Sequence, residues 1–300
     1  MIKIKTAVSL AEFTSFKVGG SADLFAAPAT IDELAQAVQW AHDNGHLVTV
    51  LGGGTNVLVS DNGVRGLLIH TIGLNEIQVV QNSDSQELLV EAQCGVTKSA
   101  LSKIFLERKL APAEFLVGLP GDVAGGVVMN AGVGFDSLPK EFCEIVDKVE
   151  VLSIANDKVK ARLVHATDMD WSYRFSSGWG PGVISRVWFK WSGAEDAEVM
   201  NRVRASNKFR LTRQPLKENT CGSTFTNPPG TSAGYLIDQA GLKGVSIGGA
   251  MVSNMHANFL EAKEGATATD IDQLIQLIQK KVKYSSGIDL HPEVVRLGDW

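Results

Sequence analysis

The sequence predicts an α+β protein: a small α/β lobe over residues 1–72, a larger α+β lobe over 73–192 and a C-terminal α+β segment over 193–300. Three observations carry this. Helix-period and strand-like runs alternate through the first 70 residues. Polar and apolar residues alternate with period two over 73–96. A helix with acidic residues first and lysines last occupies about 270–283.

Composition bounds the function. The chain has 300 residues, 44% hydrophobic and 20% charged, with 30 glycines; average usage of about 7% would give roughly 21. The surplus has no repeat, which excludes collagen, and the hydrophobic content excludes disorder. A net charge of -5 argues against broad binding of nucleic acid or anionic membranes. Cys94, Cys143 and Cys221 are odd in number, far apart and without a CxxC, which fits free thiols in a reducing compartment. The first twenty residues lack the apolar core of a signal peptide, and no run approaches the ~20 apolar residues of a membrane span. The expected protein is soluble and cytoplasmic.

The elements follow in order. Thr30 and Glu33 have capping-box spacing, Ile31, Leu34, Ala35 and Val38 share a helical face, and Asn44-Gly45 ends the helix. Residues 47–51 (LVTVL) read as a buried strand. A glycine turn follows, then a strand VLV, a turn at Asp61-Asn62-Gly63 and a strand LLI. Residues 73–96 suggest a hairpin around the polar stretch Gln81–Gln86. A helix from about Thr97 to Lys109 points Leu101, Ile104 and Phe105 inward. Strands around 146–154, 159–164 and 183–191 surround Tyr173-Arg174. Residues 193–209 read as a helix leading to Arg213-Gln214-Pro215. Thr269 reads as the cap of the last helix, whose core is Leu274, Ile275, Leu277 and Ile278, and Gly287 as its stop.

The glycines fall at places where chemistry can sit. Gly52-Gly53-Gly54-Thr55-Asn56 directly follows a strand, and successive N–H groups there can form a nest for phosphate oxygens. No Lys-Ser/Thr follows, so it is not a P-loop, and Val57 breaks GxGxxG. Gly118-Leu119-Pro120-Gly121, followed by Asp122 and Gly125-Gly126, is a second candidate cradle; a helix starting at Asp122 would leave loop amides free at its positive end. Two cradles fit a dinucleotide whose pyrophosphate takes donors from both sides. Each has an ordinary tight turn as its competing reading. Ser223, in Gly222-Ser223-Thr224-Phe225, is no nucleophile elbow, but a held, desolvated serine can protonate a carbanion; the alternative is a turn serine. Arg174 can grip a carboxylate and Glu293 can act as an acid, or each is a surface charge. Lys208, Arg210 and Arg213 form a basic run that is either an anion grip or helix-end charge. The six histidines give no metal spacing, and no metal is assigned.

At these residues the chain resembles the MurB family, the UDP-N-acetylenolpyruvoylglucosamine reductases. The resemblance covers nearly the whole chain, through TSFKVGGSADLF (14–25), LGGGTNVLVSD (51–61), GLPGDVAGGVVMNAG (118–132), YRFS (173–176), RQP (213–215), CGSTFTNPPG (221–230), IGGAMVSNMHANF (247–259) and PEVVRLG (292–298). It implies a PCMH/VAO-type flavin fold with two FAD-binding lobes and a substrate domain, the last strand returning to the first lobe. It implies FAD, with NADPH as hydride donor and UDP-N-acetylglucosamine enolpyruvate as substrate. Carried over by motif, Gly52, Gly53, Gly54, Thr55, Asn56, Gly118, Leu119, Pro120, Gly121 and Gly126 would bind FAD. Arg174, Ser223 and Glu293 would be catalytic, and Tyr173, Arg213 and Asn227 would contact substrate. The rivals are another flavoenzyme of this fold and a non-catalytic nucleotide-sugar binder.

Departures are informative. Leu119, Asp122 and Ala124 replace the family's frequent Ile, Thr/Ser and Gly. Asp122 puts negative charge beside a pyrophosphate cradle, so its side chain must face away or be paired. No Tyr-Gly follows Asn130-Ala131-Gly132. The short stretch between YRFS and the serine motif marks the shorter subtype, without a Tyr-bearing substrate loop.

Overall fold

The structure is a computed structural model that describes residues 2–80, 87–133 and 139–300. The stretch Gln81–Gln86 therefore lies outside the described residues. The chain begins β1 (Ile4–Ser9), β2 (Ser21–Ala26), α1 (Ile31–Asp43), β3 (Val48–Leu51), β4 (Val57–Val59), β5 (Val64–His70), β6 (Ile77–Val80) and β7 (Leu88–Gln93). Three helices follow, α2 (Lys98–Glu107), α3 (Pro112–Leu116) and α4 (Val123–Val128), then β8 (Val146–Ala155), β9 (Lys158–His165), β10 (Asp170–Ser172), β11 (Phe175–Ser177) and β12 (Val183–Trp191). The last part runs α5 (Val199–Arg213), α6 (Ala233–Gln239), β13 (Ser246–Ile247), β14 (Ala250–Val252), β15 (Leu260–Ala262), α7 (Ala268–Ser286) and β16 (Val295–Leu297).

Two compact units emerge. The first takes Met1–Lys5, Phe25–Gly53 and Gly66–Lys208; the second takes Thr6–Leu24, Gly54–Arg65 and Phe209–Trp300.

The first unit is built on an antiparallel sheet of order β6-β7-β12-β8-β9. Alternation places Val90 and Ala92 of β7, Val187 and Phe189 of β12 and Val149 and Val151 of β8 in one core. Leu101 and Phe105 of α2, Phe115 and Leu116 of α3 and Val123 and Val127 of α4 join them. Each buried Val, Leu or Phe among them contributes about 1.5–3 kcal/mol by leaving water. Phe142 sits at the centre, edge-on to Phe115 and Phe189. The Thr30 cap holds: its hydroxyl accepts the Glu33 N–H at 3.2 Å, while the Glu33 carboxylate accepts from Ala29 instead of Thr30. The buried face of α1 is Leu34, Ala37, Val38 and Ala41, so Ala37 and Ala41 replace Ile31 and Ala35 of the expected face.

Two expectations need correction in this unit. β3 is not a buried strand. It pairs with β5 alone, in parallel, and as an edge strand it buries Leu51 while Leu47, Val48 and Val50 stay exposed. The helix expected over 193–209 begins at Val199 and runs on to Arg213. Asp196 sets the start, accepting the Glu198 N–H at 2.9 Å and pairing with Arg202. The end falls just before Gln214, which precedes Pro215 and is steered away from helix.

The second unit packs α7 against α6 and the antiparallel sheet β13-β14-β15, with Leu274, Ile275, Ile278 and Val282 inward. Its cap is Thr267, not Thr269. Thr267 Oγ1 accepts the Asp270 N–H and Asp270 accepts the Thr267 N–H, each at 3.0 Å, a reciprocal box that stands in for the Thr269 cap read from the sequence. Thr269 donates its N–H and hydroxyl to Asp61, which also accepts from Ala268. Gly287, at φ 74°, ends the helix as expected. β16 returns to pair in parallel with β4, Val295 beside Val57.

Gly126 tests the packing of the first unit. A Cβ there would lie 2.3 Å from Cε1 and Cζ of Phe142. Overpacking of a fixed core costs about 1–3 kcal/mol. Gly126→Ala is therefore expected to lower unfolding free energy by that amount in urea titration; an unchanged midpoint contradicts the packing.

Candidate active site

In the first unit the two glycine turns meet backbone to backbone. The Gly53 N–H donates to Oδ2 of Asp122 at 2.7 Å, and the Gly125 N–H donates to Oδ1 at 2.7 Å. A Cβ on Gly52 would fall 2.1 Å from Asp122 Oδ2, and one on Gly53 would fall 3.0 Å from the Gly121 Cα. Gly118 and Gly121 take φ of 72° and 84°, the left-handed region that glycine tolerates. Gly118 and Pro120 are exposed, and Gly52, Gly53, Leu119 and Gly121 are partly so.

Asp122 is 3% exposed and caps α4, so the charge read as a difficulty in the sequence is buried and paired. A buried lysine that the sequence reading missed lies beside it. Lys98 donates to the Pro120 carbonyl at 2.8 Å. Burial pushes its pKa down to about 8, and the charge of Asp122 opposes that shift. Burial also lowers the His70 pKa, against the Asp122 charge and a hydrogen bond to the Gly52 backbone.

The expected helix start holds: α4 begins after Asp122, and its own first amides are taken up. Val123 donates to Val96, Ala124 to Cys94 and Gly125 to Asp122. A cofactor reading therefore rests on the turns themselves. Gly118 and Pro120 are exposed and Gly52, Gly53 and Gly121 partly so, which leaves bare backbone within reach of a ligand such as a pyrophosphate. Gly126 faces Phe142, which gives that glycine a packing reason.

Arg174 also lies in the first unit, at the turn of the β10–β11 hairpin, with φ 60°. Its Nη2 donates to the Gly132 carbonyl at 2.9 Å, its Nη1 is 3.8 Å from Glu141, and its guanidinium lies over the Tyr173 ring.

In the second unit, Gly54, at φ 63°, has no room for a Cβ against the Phe13 carbonyl. Thr55 follows it, and the Asn56 side chain donates to the Glu293 carbonyl at 3.1 Å. Ser223 and Glu293 are brought to neighbouring segments by backbone pairing. Thr224 donates to Asn258 on one side and accepts from the Glu293 N–H on the other, both at 2.8 Å. Asn258, unforeseen from the local pattern, clamps the serine segment through two bonds to Phe225. Ser223 and Asn227 line a cavity of about 290 Å³ with Tyr235, Lys243 and His256. Burial, then the Lys243 charge, lowers the His256 pKa and favours its neutral form. Asn227 also accepts the Ala233 N–H at 3.0 Å. Arg213 stacks on Phe209 and Arg210 bonds Gln214, so both are engaged on their own helix. Burial pushes the Cys94 and Cys221 thiols up to about 12, far from nucleophile range. Among the described residues no group of His, Cys, Asp and Glu is arranged to hold a metal.

Residues 214–297 match the C-terminal domain of UDP-N-acetylenolpyruvoylglucosamine reductase, and residues 22–161 match an FAD binding domain. A UDP-N-acetylenolpyruvoylglucosamine reductase of Prochlorococcus marinus (strain MIT 9313) is 38% identical over 299 residues, spanning 99% of this chain and 94% of that protein. The corresponding protein of Caldanaerobacter subterraneus subsp. tengcongensis is 36% identical over 290 residues, 95% of this chain and 91% of its own. The crystal structure of UDP-N-acetylenolpyruvylglucosamine reductase (MurB) from Thermus caldophilus superposes with a TM-score of 0.78 at 28% identity, over 99% of this chain and all of that one.

The buried lysine gives a pH test. Lys98 titrates near 8 when folded and at the ordinary 10.5 when unfolded. The unfolded chain binds more protons between those values, so the cost of burying the ammonium is full below pH 8 and disappears as pH rises to about 10.5. The unfolding free energy of the wild type, minus that of Lys98→Met, is expected to rise across this window in urea titrations. A flat difference contradicts the buried charge.

Proposed function

The chain belongs to the UDP-N-acetylenolpyruvoylglucosamine reductase family, and on that premise we propose that Ser223, Arg174 and Glu293 carry its reaction. It is an FAD-dependent oxidoreductase that reduces UDP-N-acetylglucosamine enolpyruvate to UDP-N-acetylmuramate, a step of peptidoglycan synthesis, with NADPH as hydride donor. When bound, FAD supplies the two-electron relay between NADPH and the methylene carbon of the enolpyruvyl group.

Hydride addition at that carbon leaves an electron pair on the adjacent carbon, delocalised into the carboxylate as an enolate. Ser223 donates the proton that completes the reduction, from a short segment fastened on both sides. Arg174 stabilises the developing oxyanion; its guanidinium is already oriented by the Gly132 carbonyl and the Tyr173 ring. Glu293 holds the substrate carboxylate region through a protonated or water-linked hydrogen bond. Gly52, Gly53 and the Gly118–Gly121 turn form backbone surface for the cofactor, with Gly54, Thr55 and Asn56 continuing the first turn. Asn227 lines the substrate cavity, and Tyr173 and Arg213 act as further substrate contacts.

The observation that carries the serine assignment is that Ser223 lines the cavity while the short segment it begins, through Phe225, bridges to the segment bearing Glu293. The substrate is a small nucleotide sugar, and the reaction belongs in the cytoplasm, where its product feeds wall growth, cell shape and division. No helix among the described residues is long and apolar enough to cross a membrane.

The test is Ser223→Ala. Turnover of the enolpyruvyl sugar is expected to fall by ~10² or more, while NADPH still bleaches the bound flavin under anaerobic conditions. Unchanged turnover would remove Ser223 from the mechanism.

A further inference from the structure

Asp122 is the acidic residue inside the second glycine turn, and the reaction gives it no task. Its carboxylate nonetheless joins two segments that are distant in sequence. Oδ1 accepts from Gly125 in the first turn of α4, which is an ordinary helix cap. Oδ2 accepts from Gly53, 69 residues earlier, which no cap requires.

The peptide that donates through Gly53 N–H is the one whose carbonyl belongs to Gly52, and His70 hydrogen-bonds the Gly52 backbone. Side chains thus hold this peptide group at both poles. The surroundings leave it little freedom. Gly52 touches the carboxylate where a Cβ would be, and Gly53 lies against Gly121. Lys98 fastens the same turn from below through the Pro120 carbonyl and offers a compensating positive charge. Gly121 in turn accepts the Lys98 N–H at 3.0 Å.

We propose that Asp122 is a positioning residue for FAD: its carboxylate clasps the Gly52-Gly53 turn to the Gly118–Gly121 turn and sets their spacing before the cofactor binds. The inference rests on the reading that these turns hold FAD. A turn fixed in advance loses less freedom on binding, which appears as affinity. The opposing consequence of the same carboxylate is repulsion of a pyrophosphate, and the two have opposite signs in one measurement.

That measurement is the FAD dissociation constant of apoprotein, by flavin fluorescence, for wild type, Asp122→Ser and Asp122→Asn. Serine keeps an oxygen that can cap Gly125 and is too short for Gly53. Asparagine keeps the reach but has one acceptor for two N–H groups. Loss of a charge-assisted bond predicts a dissociation constant raised by ~10-fold or more in both variants. Amide exchange in the apoprotein separates positioning from capping: Gly53 is expected to lose protection in the serine variant while Gly125 keeps it. If the serine variant does not fold, the asparagine variant decides. Folded variants that bind FAD as tightly as wild type, or more tightly, overturn the inference alone. Wild-type protein that binds FAD without perturbing the amides of Gly52, Gly53 and Gly121 overturns the reading of the turns and the inference with it.

Discussion

The first unit depends on a backbone contact that only glycine permits. Gly53 approaches Gly121 to a distance at which a Cβ would touch the Cα, and Gly52 lies where a Cβ would enter the Asp122 carboxylate. Much else in the site follows from that approach. The strand β3 must end at Leu51, α4 must begin after Asp122, and the polar groups displaced by the contact must find partners among Asp122, Lys98 and His70. A buried carboxylate and a buried ammonium are costly separately; together, with backbone partners for both, they become tolerable. The Lys98 pKa near 8 shows that the desolvation is offset only in part.

The second unit uses a different device. Ser223 is placed by no helix or strand but by a short segment of isolated bridges fastened on both sides, through Asn258 on one and the Glu293 N–H on the other. Asn56 ties the same C-terminal segment from the glycine turn after β3. The serine and the glutamate thus reach neighbouring positions although 70 residues separate them. Beside the serine lies a cavity whose polar lining includes Lys243, His256 and Asn227, with His256 two residues from the clamping Asn258.

What was legible in the sequence was what local chemistry writes. The Thr30 cap, the Gly287 stop, the Asp122 helix start and the strands of the antiparallel sheet follow from residues close in the chain. The exposure of β3 did not, because an apolar run looks the same at a sheet edge as in its centre. Thr269 does not cap the last helix because it is bound to Asp61, a partner distant in sequence. Lys98 and Asn258 were missed for a related reason: a lysine at a helix start and an asparagine in a loop carry no local mark of burial. The family motifs supplied the serine, arginine and glutamate as candidates; periodicity alone would have stopped at two phosphate-cradle turns. The identity of the acidic residue between them was visible, and its pairing was required, but its partner across 69 residues was not.

We propose that the glycine turns of the first unit are the backbone surface on which FAD rests. Titrating FAD into isotope-labelled apoprotein and following backbone amide resonances tests it directly. The amides of Gly52, Gly53, Gly118, Leu119 and Gly121 are expected to shift as FAD binds, in step with the flavin fluorescence. Binding of FAD that moves other amides and leaves these unshifted would contradict it.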